Sequence, residues 1–120
     1  MAARPSQPAA LTIAGSDSSG GAGLQADLRT LARLGVHGAS VVTCVTAQNP
    51  GAVTAIHPTP AKVVAAQLDS VFGSLPIRAV KTGMLSNAAT IRAVAGKVRE
   101  HGLRNLVVDL VILTAGGDPI

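Results

Sequence analysis

Ala10-Leu11-Thr12-Ile13-Ala14-Gly15-Ser16-Asp17-Ser18-Ser19-Gly20-Gly21-Ala22-Gly23-Leu24-Gln25-Ala26-Asp27 is the stretch on which the fold turns. The apolar run from Ala10 to Gly15 stops in a cluster of Gly and Ser. From Ala22 onward, Leu24, Leu28 and Leu31 recur at helical spacing. That order predicts a strand, a glycine loop and a helix. Gly35 stands where a helix C′ residue belongs, and the β-branched run Ser40 to Thr46 predicts a second strand, buried on both faces.

The unit then recurs. Thr59 and Pro60 read as an N-cap and first helical residue, followed by an apolar stripe of Val64, Leu68, Val71 and Phe72 that Pro76 ends. Arg78 to Leu85 predicts a third strand. Asn87 caps a third helix with Ile91, Val94, Ala95 and Val98 on one face, Gly102 ends it, and Asn105 to Leu113 predicts the fourth strand. Strands alternating with helices require parallel pairing through right-handed crossovers, so the expected fold class is α/β, a doubly wound parallel sheet. Its ligand crevice lies beyond the carboxyl ends of the strands. The chain stops a few residues past the fourth strand, at Ile120, which reads as a truncated sheet.

Composition bounds the function. The 120 residues are 48% hydrophobic and 13% charged, enough for one core and one domain. Residues 1–9, with two prolines, read as a disordered lead. The formal charge is +4, but the cations are scattered and aromatic residues are only 1%, so neither a polybasic arm nor base-stacking platforms are available. Nucleic acid is excluded as a partner. No apolar stretch approaches the roughly 20 residues a membrane span needs, and the lone Cys44 cannot form an internal disulfide, so a soluble cytoplasmic protein is expected.

Several residues could carry chemistry. Between strand and helix, the backbone amides of Gly15 to Gly23 can face an anion or a polar ring, although neither the Walker lysine nor the G-x-G-x-x-G spacing is present. Asp27, one turn beyond Gly23, either hydrogen-bonds a ligand on the loop or compensates the helix dipole. Gln48 and Asn49 follow the second strand with donors and acceptors suited to a heterocycle's edge, or form the turn Asn49-Pro50-Gly51. Met84 offers a soft wall or core packing, and Lys81 sits at the strand mouth or is paired. Asp109 interrupts an apolar run: it either serves magnesium or phosphate at an exposed strand end or pairs with Lys81. His37, His57 and His101 lack metal-ligand spacing, and Ser16, Ser18 and Ser19 lack a base partner.

Taken together with Thr46-Ala47-Gln48-Asn49, Ala65 to Phe72, Val80-Lys81-Thr82-Gly83-Met84-Leu85, Val107-Val108-Asp109 and Gly117-Asp118-Pro119, the opening stretch closely resembles the hydroxymethylpyrimidine/phosphomethylpyrimidine kinases of thiamine biosynthesis, in the ribokinase-like superfamily. The resemblance covers residues 10–120 and implies the N-terminal, substrate-binding part of a kinase domain. It implies ATP-dependent phosphorylation of 4-amino-5-hydroxymethyl-2-methylpyrimidine and then of its monophosphate, with ATP and Mg2+ as cofactors. Asp27 and Gln48 would hydrogen-bond the pyrimidine and its hydroxymethyl group, Gly15, Ala22, Thr46, Met84 and Val111 would line the ring, and Asp109 would stand near the transferred phosphate and the metal. The catalytic residue itself is expected in the family's C-terminal half, and Leu110 to Gly117 departs from the lysine-bearing stretch of relatives. The implied partners are the small pyrimidine and either a second copy of this chain or a complementing C-terminal chain. Pyridoxine or pyridoxal kinase is the enzyme alternative, and a non-catalytic pyrimidine-binding fragment is the other.

Overall fold

Alternation sets the first strand. In the computed structural model, which describes residues 7–111, β1 (Ala9–Ser16) turns Leu11 and Ile13 to one face and Thr12 to the other. Helix α1 (Gly23–Arg33) follows, then β2 (His37–Asn49), β3 (Ala52–Pro58), α2 (Ala61–Ser74), β4 (Ile77–Thr82), α3 (Ala88–Glu100) and β5 (Leu106–Val108). The sheet has five strands in the order β3-β2-β1-β4-β5. β1 pairs in parallel with both β2 and β4, and β4 in parallel with β5.

This is the expected α/β sheet with one correction. The Asn49-Pro50-Gly51 turn opens a hairpin, and β3 returns antiparallel to β2 as an edge strand that the sequence reading left out. Strand bounds also move, β2 running from His37 to Asn49 beyond both ends of the expected Ser40 to Thr46. β1 starts at Ala9, inside the expected disordered lead, where Gln7 Nε2 donates to the Gly35 carbonyl and the His37 amide to Pro8. β4 stops at Thr82 and β5 at Val108, each short of the expected end. Residues 1–6 of the lead and Gly117-Asp118-Pro119 lie outside the described residues.

The core lies on one face. Leu11, Ile13, Val41 and Val80 from the sheet meet Val64 and Leu68 of α2 and Val94 of α3, all buried. α1 covers the other face, close enough to β2 that a Cβ on Gly38 would stand 2.8 Å from Leu28 Cδ2. Stepping from β1 to β2 on one side and from β2 across to β4 on the other puts the helices on opposite faces and makes β1 and β4 the point where strand order reverses.

The helix ends follow local chemistry. Asn87 caps α3 as expected, its Oδ1 accepting from the Thr90 amide at 2.9 Å. Gly35 (φ 74°) and Gly102 (φ 62°) close α1 and α3 in the left-handed region. Thr59 does not cap α2. Its amide is drawn to the Thr43 carbonyl at 2.9 Å, and Pro60 becomes the N-cap residue with no side-chain cap bond.

Beyond the hairpin, the outer edge of β2 is completed by a side chain. Gln67 of α2 accepts from the Val42 amide at 2.9 Å and donates to its carbonyl at 3.1 Å, standing in for a neighbouring strand. Gln67→Ala therefore leaves both backbone groups without their partner. We expect a loss of about 1–3 kcal/mol in urea unfolding, and an unchanged midpoint would show that water replaces the amide without cost.

Candidate functional site

β1 ends where the backbone of α1 begins, and the two cross at contact distance. Gly23 has φ 59°, and a Cβ there would lie 2.5 Å from the Gly15 carbonyl oxygen. Only glycine fits such an approach. Gly15 sits at the register shift between Ala14 and Ser16, and a Cβ on it would lie 2.8 Å from Cys44 Sγ and 3.1 Å from Met84 Cε. Cys44 is fully buried beneath this point; burial pushes its thiol up, against a smaller opposing hydrogen bond with Thr43.

The loop between them is organised from within by Asp17, which is 4% exposed. Its Oδ1 accepts from the Ser19 amide at 2.9 Å and the Ser19 hydroxyl at 2.7 Å, and its Oδ2 from the Ala22 amide at 2.8 Å. Burial raises this carboxyl, but the bonds from Ser19, Ala22 and Gly21 outweigh it and hold the group below the usual carboxylate range. Of the loop amides expected to face an anion or a polar ring, three are taken internally: Asp17 accepts from those of Ser19 and Ala22, and the Gly20 amide donates to the Asp17 carbonyl. Ala22, the N-cap residue, has no side chain able to cap α1, and the Asp17 carboxylate does so from five positions upstream.

The loop is also tied outward. Gln25 accepts from the Asp17 amide and donates to Ser16 Oγ, at 2.9 and 2.8 Å. The Ser18 hydroxyl donates to the Gln48 carbonyl at 2.7 Å and accepts from its amide at 2.8 Å, docking the loop on the end of β2. The Thr46 hydroxyl donates to the Ser16 carbonyl at 2.7 Å and stands 3.2 Å from the Gln48 side-chain amide. Thr43 in turn donates to the Met84 carbonyl at 2.6 Å, fixing the segment after β4.

These ties enclose a cleft of about 340 Å³ at the carboxyl ends of β1, β2 and β4. Gly15, Ala22, Thr46, Gln48, Met84 and Val111, together with Asp109, all line it. Asp27 is not among the lining residues. It is the fifth residue of α1 and faces the sheet, where its Oδ2 accepts from Thr12 Oγ1 at 2.6 Å and from Lys81 Nζ at 2.8 Å. Neither helix-dipole compensation nor a Lys81–Asp109 pair describes what is found. Lys81 lines the cleft and pairs with Asp27, and Asp109 is exposed, held by its amide on the Thr82 carbonyl at 3.1 Å.

Val53 and Ile56 of β3 form a further apolar wall that sequence reading missed. The signal was there, in β-branched residues directly after an Asn-Pro-Gly turn. Asp17 was missed as an organiser, although Asp-Ser-Ser is a sequence in which an Asx turn forms readily. Away from the cleft, His101 stacks on Phe72 with ring centroids 4.7 Å apart and joins Asp69 and Glu100 at the exposed end of α3. The Lys97 ammonium already stands among those carboxylates, 2.9 Å from Asp69 and 3.0 Å from Glu100.

Comparison with known proteins fits this geometry. The family model for phosphomethylpyrimidine kinase matches residues 17–120. The chain belongs to the phosphomethylpyrimidine kinase family. A hydroxymethylpyrimidine/phosphomethylpyrimidine kinase of Rhizobium meliloti is 53% identical over 111 residues, covering 92% of this chain and 41% of that protein. The crystal structure of a phosphomethylpyrimidine kinase from Clostridium difficile superposes with a TM-score of 0.88 at 42% identity, over 94% of this chain and 49% of the other. The ADP complex of Bacillus subtilis pyridoxal kinase superposes with a TM-score of 0.82 at 39% identity, over 88% and 42%. This family and these neighbours place the sheet among ribokinase-like folds. The chain spans between 16% and 42% of the length of the curated relatives it matches.

Two predictions test the loop. Gly23→Ala meets backbone within 2.5 Å, whereas Gly35→Ala at φ 74° meets nothing within 4 Å. The first should cost clearly more than the second, which carries only the strain of about 1 kcal/mol for a left-handed alanine; equal urea midpoints would mean that the crossing relaxes freely. Because folding lowers the Asp17 pKa, the folded chain binds fewer protons than the unfolded one near that pKa. The stabilisation is full above about pH 4 and is lost as acidification proceeds through the lower, folded value. Asp17→Asn should flatten the acid limb of the stability profile below about pH 4, and an unaltered limb would remove Asp17 as its source.

Proposed function

We propose that this chain forms the pyrimidine side of an ATP-dependent kinase acting on 4-amino-5-hydroxymethyl-2-methylpyrimidine and then on its monophosphate. The observation that carries the reading is the convergence of Gly15, Ala22, Thr46, Gln48, Met84 and Val111 on one cleft with Asp109 at its rim. Gly15 and the Met84 methyl touch one another and form one continuous floor on which a flat ring can lie, with Ala22 and Val111 as apolar walls. Gln48 supplies an acceptor for the ring's amino group. The Thr46 hydroxyl has a single proton and spends it on Ser16, so the Gln48 amide is best placed with its NH2 toward Thr46 and its carbonyl left for the ligand. Asp27 stands behind the cleft lining with Oδ2 held by Lys81 and Thr12, and its Oδ1, for which no bond is found among the described residues, would have to turn toward the cleft to meet the hydroxymethyl group.

An exposed carboxylate at a strand end is the kind of donor magnesium takes alongside waters and phosphate oxygens, and Asp109 fits it. When bound, ATP supplies the phosphoryl group and Mg2+ neutralises charge on it. What these residues contribute is position: they hold the acceptor oxygen still and exclude water from one side of the ring. The catalytic residue belongs to the family's C-terminal half, so turnover needs that half, either from a complementing chain or from further sequence. The exposed Val107 and Val108 of β5 and Leu110 just after it suit such association, or pairing with a second copy. A cytoplasmic location suits the single buried thiol. Among the described residues no helix is long and apolar enough to cross a membrane.

The likeness to pyridoxal kinase favours a second reading, in which the cleft takes pyridoxal. Calorimetry separates the two. The pyrimidine should bind weakly, through two or three hydrogen bonds each contributing about 0.5–1.5 kcal/mol, and Gln48→Ala should weaken it about fivefold. Tighter binding of pyridoxal, or no heat with the pyrimidine, would overturn the assignment. Joined in frame to the C-terminal part of the Rhizobium meliloti relative, the chain should turn over ATP with the pyrimidine; intact binding without turnover would sink the kinase half of the proposal.

A further inference from the structure

Among the described residues that line the cleft, Lys81 is the only cation. Its backbone lies in β4 in register with Thr12 of β1, so both side chains leave the sheet on the α1 face. Asp27 holds the ammonium from below at 2.8 Å, on the same oxygen that takes the Thr12 hydroxyl. A third of the Lys81 side chain stays exposed. An ammonium has three N–H donors, and Asp27 uses one; among the described residues no other acceptor bonds the Lys81 Nζ. The next residue but one is Gly83, where a Cβ would stand 3.3 Å from Nζ, so glycine keeps that side of the ammonium open.

Two free donors on a fixed cation are more than a neutral alcohol needs. A phosphate monoester brings a charge of about −1.5 to −2 into a cleft that already holds the Asp109 carboxylate and stands above Asp27. Without Lys81 the only charges the described residues bring to the cleft lining are the carboxylates of Asp17 and Asp109. We propose that Lys81 determines specificity for the charge of the ligand's substituent: its free donors bind an anionic phosphate oxygen, so that the cleft accepts the phosphorylated pyrimidine as well as the alcohol. The inference rests on the pyrimidine reading above and assigns the selectivity within it to one side chain. The competing role is purely structural, with Lys81 serving only to neutralise Asp27. Loss of the lysine would then disturb both ligands alike.

The test is a calorimetric titration of the full 120-residue chain with 4-amino-5-hydroxymethyl-2-methylpyrimidine and with its monophosphate. Lys81→Met should weaken the monophosphate by about tenfold or more, as loss of a charge-assisted bond does, and the alcohol by less than about threefold. Lys81→Arg should recover part of the monophosphate affinity, and inorganic phosphate should compete with the monophosphate on the unaltered chain but not on Lys81→Met. If Lys81→Met does not fold by circular dichroism, Lys81→Gln keeps a donor for Asp27 while removing the charge, and the same ratio is read. Equal losses for the two ligands, or no loss for either, overturn the inference while leaving the pyrimidine reading intact. An unaltered chain that binds neither ligand overturns that reading first, and the inference with it.

Discussion

The crossing of Gly23 over the Gly15 carbonyl is the constraint from which the cleft follows. With a Cβ at Gly23, β1 and α1 could not approach as they do, and the loop between them would have to bulge outward into the space a ligand would use; a Cβ at Gly15 would instead collide with Cys44 and Met84. Close approach alone would leave a helix start without a cap and a loop of free amides. Asp17 answers both needs, since its two oxygens take up the amides on either side of Gly20 and Gly21, those of Ser19 and of the N-cap residue Ala22. The loop is therefore a closed unit that presents a surface, in contrast to phosphate-binding loops, whose amides stay free for the ligand.

The same economy of side chains standing in for backbone recurs along β2. Gln67 completes the pairing of Val42 and Ser18 that of Gln48. In both places a polar side chain bonds the amide and the carbonyl of one residue, which satisfies an edge without adding a strand. At Gln48 the consequence is functional: with its backbone fixed by the loop and its side chain beside Thr46, the amide has few orientations left, and a ligand need not immobilise it on binding.

Local chemistry was legible in the sequence and long-range pairing was not. Asn87, Gly35 and Gly102 announce helix ends because capping depends on a few neighbouring residues, and the structure uses all three as expected. Thr59 carries the same signal as Asn87 yet its amide bonds to Thr43, because extending the β2–β3 pairing one step further competes with capping. The strand β3 escaped because Asn-Pro-Gly signals a turn without saying whether the chain returns alongside the strand it left. In the cleft, residues next to strand ends could be placed from the fold class alone. The partner of Asp27 could not, since Lys81 lies 54 positions away and only the register of β1 against β4 brings them together.

That register also explains why Asp27 and Asp109, the acids of α1 and of the segment after β5, differ. Parallel pairing puts Lys81 beside Thr12 beneath α1, so the ammonium meets a carboxylate already oriented by a hydroxyl. Asp109 follows the last paired residue of β5, its amide on the Thr82 carbonyl, and among the described residues no cation pairs with its exposed carboxylate. A half-buried carboxylate without a cation is costly, and an exposed one is not. The sheet thus sorts its acids by depth, with the deeper one spent on holding a lysine and the shallower one left available at the mouth of the cleft.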